Sequence, residues 1–149
     1  MVGSATSLDG TVSQAFASDG TTTTLLNNLG SGANGIANAI NNAAINVLVG
    51  GTDTDTSVGG DMHAAAWNWS GSAPNPTPID LNTLLTANPE GMTLVEALDI
   101  NDNGYIVGFG IVGGADHAFL LSPVPEPGTL TLLGVGLGGM AVRAWRRRK

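Results

Sequence analysis

The side chains of this 149-residue chain that could do chemistry are few. Asp53, Asp55 and Asp61 place carboxylates in a stretch that also holds Thr54, Thr56 and Ser57. Oxygen ligands at alternating positions suit a hard cation, and calcium is the one cofactor this loop suggests. The sixth position is Val58 rather than glycine and no glutamate stands at the twelfth, so a plain solvated loop competes with that reading. His63 and His117 are the only histidines. A metal would need both on one face with Asp61 or Asp116. The commoner role is packing or hydrogen bonding within the histidine's own strand unit, and that is the expectation here. Glu90, Glu96 and the aspartates could pair as acid and base, yet Glu90 lies in an Asn-Pro-Glu-Gly turn, Asp99 precedes a hairpin and nothing fixes their separation. There is no nucleophile elbow, no His-Glu-x-x-His and no phosphate-binding glycine loop, and no cysteine to serve as thiol nucleophile. The expectation is a protein that is not an enzyme. Trp67 and Trp69 flank Asn68, so both rings face one side of a strand. They could stack on a sugar, which makes a polysaccharide-binding or polysaccharide-active domain the alternative; core packing is the more frequent fate of such rings.

The strongest pattern lies at the C-terminus. Val124, Pro125, Glu126 and Pro127 form a short proline motif, an uncharged run follows from Gly128 to Val142, and Arg143, Arg146, Arg147, Arg148 and Lys149 close the chain. The uncharged run alone would make a helix about 22 Å long, short of the roughly 30 Å of a bilayer core. Arg143 can snorkel and Ala144-Trp145 can sit at the interface, so a transmembrane helix is expected over about 128–145. In lipid the backbone must satisfy itself, which favours helix despite the many glycines. All basic residues lie at or after Arg143, and the positive-inside rule places that end in the cytoplasm.

Pro-Glu-Pro, a short Gly/Leu-rich run and an Arg-rich end resemble the PEP-CTERM sorting signal of Gram-negative bacteria. Such a segment also goes under the label of an ice-binding protein C-terminal domain, a label that does not imply ice binding. The resemblance implies export, anchoring in the inner membrane, processing near Pro125-Glu126-Pro127 by an exosortase (a membrane cysteine protease), and a destination at the cell surface or in an exopolysaccharide matrix. In that role Val124 to Pro127 are recognition elements for another enzyme.

Charge divides the chain sharply. Its twelve acids all precede Gly128 and its five basic residues all follow, giving a net charge of −7. A domain without Lys or Arg repels nucleic acid, so that class of partner is excluded, while the membrane and an exosortase are the expected partners.

Residues 1–123 carry a weak repeat. Asn101-Asp102-Asn103-Gly104 leads to Tyr105-Ile106-Val107-Gly108, then Gly113-Gly114-Ala115-Asp116, then His117-Ala118-Phe119. Asn103-Gly104 predicts a type I′ hairpin. The same order recurs as Ile40-Asn41-Asn42, Val49-Gly50 and His63-Ala64-Ala65, and as Val2-Gly3 with Gln14-Ala15-Phe16. This order resembles the HAF family of probable extracellular repeats, named for its His-Ala-Phe triplet.

A period of about fifty residues with four short strands is what a propeller blade requires. The expected fold is mainly β: propeller-like four-stranded repeats, as a partial propeller or else a small sandwich, followed by one transmembrane helix. The expected domains are a repeat ectodomain at 1–123, with about two repeats and a leading stub, and a sorting tail at 124–149. Residues 1–20 hold neither a basic stretch nor an apolar core of a signal peptide, and the chain opens within a repeat. The expectation is a C-terminal piece of a longer protein. Because a blade buries one face on its neighbour, residues 1–123 alone are expected to fold poorly; cooperative thermal unfolding of a soluble monomer would speak for the sandwich instead.

Overall fold

The computed structural model describes residues 1–8, 10, 12–30, 34–43, 46–53, 61–69, 76–88 and 90–124. The expected transmembrane helix lies outside them; among the described residues no helix is long and apolar enough to cross a membrane.

Among the described residues ten strands form three small antiparallel sheets, and no barrel closes. The first sheet holds β1 (Val2–Thr6), β2 (Ser13–Ser18) and β3 (Thr23–Leu25). The second holds β4 (Gly35–Ile40), β5 (Asn46–Asp53), β6 (Met62–Trp69) and β7 (Ile79–Asp80), and a 3₁₀ turn (Leu81–Leu84) follows directly. The third holds β8 (Thr93–Ile100), β9 (Ile106–Val112) and β10 (Ala115–Leu121). Each sheet is a meander in chain order. The sandwich alternative, which needs two sheets, does not describe it.

Cross-strand register shows what the repeat encodes. Gly3 pairs with Phe16, Gly50 with Ala65, and Gly108 with Phe119. The Val-Gly step therefore sits on β1 in the first sheet and on the second strand, β5 or β9, in the other two, and the third residue of the His-Ala-Phe triplet lies opposite its glycine. β4 and β8 are the leading strands of the second and third sheets, and both bulge at the same place. The register slips between Ala37 and Ala39, and again between Ala97 and Asp99. Just before each bulge a carbonyl presses on the glycine of the neighbouring strand. A Cβ on Gly50 would lie 1.9 Å from Ile36 O, and one on Gly108 would lie 2.1 Å from Glu96 O. No L side chain fits there.

The sheets stack in order. β4 lies against β1 and β2, and β8 lies against β4, β5 and β6. Strand alternation sends neighbouring residues into two different cores. Leu48, Ala65 and Trp67 join Ala15, Ala17, Leu26 and Ala37 between the first two sheets. Val49, Ala64 and Ala66 join Leu94, Ala97, Ile100 and Ile106 between the second and third. The run of alanines in β6 suits a strand buried on both faces, because small side chains let both neighbours approach.

The hairpin signal at Asn103-Gly104 is placed one residue off. Gly104 N donates to Asn101 O at 3.0 Å, so the turn centres on Asp102 and Asn103, and Gly104 follows with φ +81°. This three-residue loop is favoured because Asn101 Oδ1 accepts from both Asn103 N and Tyr105 N at 3.0 Å. The two-residue turn with both residues at positive φ is Gly113-Gly114, joining β9 to β10. The segment Ile79 to Leu84 forms β7 and then the 3₁₀ turn.

Replacing Gly50 by alanine should destabilise the chain by about 3 kcal/mol or more, since backbone must move to admit the methyl. Leu120→Ala, at an exposed position, should cost less than about 1 kcal/mol. Equal midpoints for the two variants in denaturant titration would contradict the close-approach account.

Candidate functional site

The processing motif begins where the last strand ends. β10 stops at Leu121 and the chain continues through Ser122, Pro123 and Val124. Pro123 packs beside the β8–β9 turn, where a Cβ on Gly104 would come within 3.2 Å of Pro123 Cγ. Val124 is 68% exposed at the rim of an apolar groove of about 620 Å³. Leu84, Leu85, Ile106, Leu120 and Leu121 are among the apolar residues that line the groove. Pro125, Glu126 and Pro127, and the basic residues Arg143, Arg146, Arg147, Arg148 and Lys149, lie outside the described residues.

The tryptophans point inward. Trp67 is 0% exposed and Trp69 7%, and both belong to the core between the first and second sheets. Trp67 Nε1 donates to Asn27 O at 2.9 Å, which ties β6 to the segment after β3. Neither ring offers a face to a sugar in this arrangement.

The acidic loop is described only at its ends. Asp53 closes β5 opposite Met62, Asp61 is exposed before β6, and Asp55 lies outside the described residues. Among the described residues, no three His, Asp or Glu side chains come together to hold a metal.

His63 and His117 part company. His117 is exposed on the open edge strand β10. His63 meets Asp80 of β7, with Nδ1 and Oδ2 2.8 Å apart and both side chains partly buried. Burial pushes the Asp80 carboxyl up, but hydrogen bonds from His63, the Asn82 side chain and the Asn82 backbone outweigh it, and the charge of His63 adds to them; the net direction is below the usual carboxylate value. An ionised carboxylate only accepts, so His63 Nδ1 carries the proton of this bond. Asp80 Oδ1 takes the Asn82 N–H at 2.9 Å and Asn82 Nδ2 at 3.0 Å, and so caps the 3₁₀ turn. The Asn82 amide then grips the backbone of β8: Nδ2 donates to Leu94 O at 2.9 Å and Leu94 N donates to Oδ1 at 2.8 Å. One polar chain thus runs from β6 through β7 and the turn to the next sheet.

A second polar link joins the same two sheets. Asn38, the residue left over at the β4 bulge, donates through Nδ2 to Glu96 Oε1 at 2.7 Å and to Ala97 O at 2.8 Å. Asp102 Oδ1 accepts from Asn42 N at 2.7 Å and fastens the two corresponding turns to each other. Sequence reasoning missed Asp80, Asn82 and Asn38 as a group. Asp80-Leu81-Asn82 does carry the signature of a local side-chain cap, which could have marked the turn.

Residues 123–149 match the PEP-CTERM protein-sorting motif. The PEP-CTERM motif is a signal for exosortase processing of exported proteins, so the chain carries the sorting element of a membrane-anchored protein bound for the cell surface. The match covers the tail and meets the folded residues at Pro123. No curated protein and no solved structure matches the chain.

Asp80 gives the fold an acid-sensitive element. Its carboxyl is lowered in the folded state, so the unfolded chain takes up its proton first as pH falls. The stabilisation is complete above the ordinary carboxylate pKa and is lost as pH falls through the lowered folded value. Asp80→Asn should remove that share of the acid dependence of thermal stability. Identical slopes for wild type and Asp80→Asn across the acid range would count against the assignment.

Proposed function

We propose that this chain is an exported, non-enzymatic surface or matrix protein that its own tail delivers to the membrane and an exosortase then releases. The single observation that carries the reading is the PEP-CTERM match over residues 123–149. In this reading residues 128–145 cross the inner membrane once. Arg143, Arg146, Arg147, Arg148 and Lys149 stay in the cytoplasm, since all the positive charge of the chain lies there. Residues 1–123 stand outside as a propeller-like stack of repeats. Val124, Pro125, Glu126 and Pro127 present the cleavage site at the outer surface, and the released domain stays at the cell surface or enters an exopolysaccharide matrix.

The folded part supports a scaffold role through the use of its polar side chains. Asn38, Asp80, Asn82 and Asp102 are engaged in joining one sheet or turn to the next.

Co-expression with an exosortase tests the reading. The wild-type chain should lose its tail and leave the membrane fraction, while a Pro125→Ala/Glu126→Gln/Pro127→Ala variant should keep full mass and remain anchored. An unchanged mass for the wild type would leave a plainly anchored protein and remove the processing step.

A further inference from the structure

The apolar groove beside Val124 has a chemistry of its own. The chain carries twelve acids, all before Gly128, yet among the described residues that line the groove none is charged. Asp80 lies between two lining residues, Ile79 and Leu81, but its carboxyl is taken by His63 and Asn82. Among the same lining residues there is no aromatic ring on which a sugar could stack. Four aliphatic side chains both line the groove and stand open to solvent: Ile79 is 37% exposed, Leu84 59%, Leu120 65% and Val124 68%. Scattered singly such residues need no explanation, but gathered round one groove they mark a contact surface. The neutral polar residues Asn68, Thr86 and Ser122 also line it. Aliphatic groups mixed with neutral polar ones suit the boundary between lipid headgroups and acyl chains.

Covalent reach says what lies opposite. Only Pro125, Glu126 and Pro127 separate Val124 from the apolar run that begins at Gly128. Four residue steps span at most about 14 Å. The headgroup layer on each side of a bilayer takes up about 5–7 Å of that distance. Resting on the proposed function, in which residues 128–145 span the membrane, we infer that the rim of this groove sits in the headgroup layer of the outer leaflet. Leu84, Leu120 and Val124 enter between the headgroups, and the groove receives the upper part of an acyl chain. The contact is apolar, because no Lys or Arg precedes Arg143 to meet an anionic headgroup.

The chain has no cysteine, so a single introduced thiol can carry an environment-sensitive fluorophore. The full chain is placed in vesicles of phosphatidylcholine, whose zwitterionic surface does not repel an acidic domain, with no exosortase present. The reporter is Thr86→Cys, at an exposed polar position of the groove. Ala5→Cys, exposed on β1, and Val135→Cys, within the apolar run, are the references. Circular dichroism checks that each labelled chain folds. The label at Thr86 should emit to the blue of the label at Ala5 and be quenched by nitroxide-bearing lipid, while the label at Ala5 escapes. Adding Leu84→Glu/Leu120→Glu, at two exposed positions, should return the Thr86 label to the Ala5 level. Quenching at Val135 with none at Thr86 overturns the groove contact and leaves the anchored tail intact. No quenching at either position removes the anchored tail, and the groove contact with it. A blue-shifted Thr86 label that the lipid does not quench also overturns the contact, since the groove would then hold protein, either the chain's own tail or a second copy. Quenching that survives the double substitution would belong to the fluorophore, and quenching at Ala5 as well would mean unselective adsorption; either result overturns the proposal.

Discussion

In both complete leading strands, the residue before the bulge turns its carbonyl oxygen onto the central strand of its sheet, and glycine is the residue that leaves room for it. Ile36 O bears on Gly50 and Glu96 O on Gly108. The rest of each unit follows from this approach. The bulge sets two successive side chains on one side of the strand, which sends Asn38 and Ala39 toward the third sheet while Ala37 and Ile40 stay with the first. A leading strand bent in this way can serve two neighbours, pairing with one sheet and packing on another. The Val-Gly step and the alanines of β6 are the visible marks of that arrangement in the sequence.

The charge pattern explains how the polar groups are held. Without Lys or Arg among residues 1–142, the carboxylates of the folded part rely on N–H dipoles and one histidine. Asp19 Oδ1 accepts from Thr22 N and Thr21 N at 2.8 Å, and these bonds keep its carboxyl below the usual value. Asp80 uses His63 and Asn82, and Asp102 uses Asn42 N. Short side chains bonded to nearby backbone lose little freedom in doing so, which suits a chain rich in Asn, Asp, Thr and Ser.

Much of the fold was legible because repetition is a signal that survives weak motifs. Val2-Gly3, Val49-Gly50 and Val107-Gly108 do occupy corresponding places in three sheets, each glycine opposite the third residue of its triplet. The tail was legible in full as a motif, since proline, apolar and basic segments follow one another without interruption. What the sequence concealed was contact at long range. Nothing local says that His63 meets Asp80 seventeen residues on, or that Asn38 reaches Glu96 and Ala97 on another sheet. The turn at Asn101–Gly104 was misplaced for a local reason: the Asn101 side chain caps two N–H groups, which favours a longer loop than Asn-Gly alone suggests.

Three residues separate the end of β10 from Pro125, and even fully extended they span only about 10–11 Å. Pro123 spends part of that reach lying against the Gly104 turn. The folded stack therefore has almost no slack at its C-terminal end. A chemical group joined at that end would be mounted on the third sheet as on a short stiff bracket, its direction set by the sheet rather than by a swinging tether. A population of such domains fixed to one surface would then share an orientation, with the first sheet pointing away from the point of attachment in the same sense in every copy.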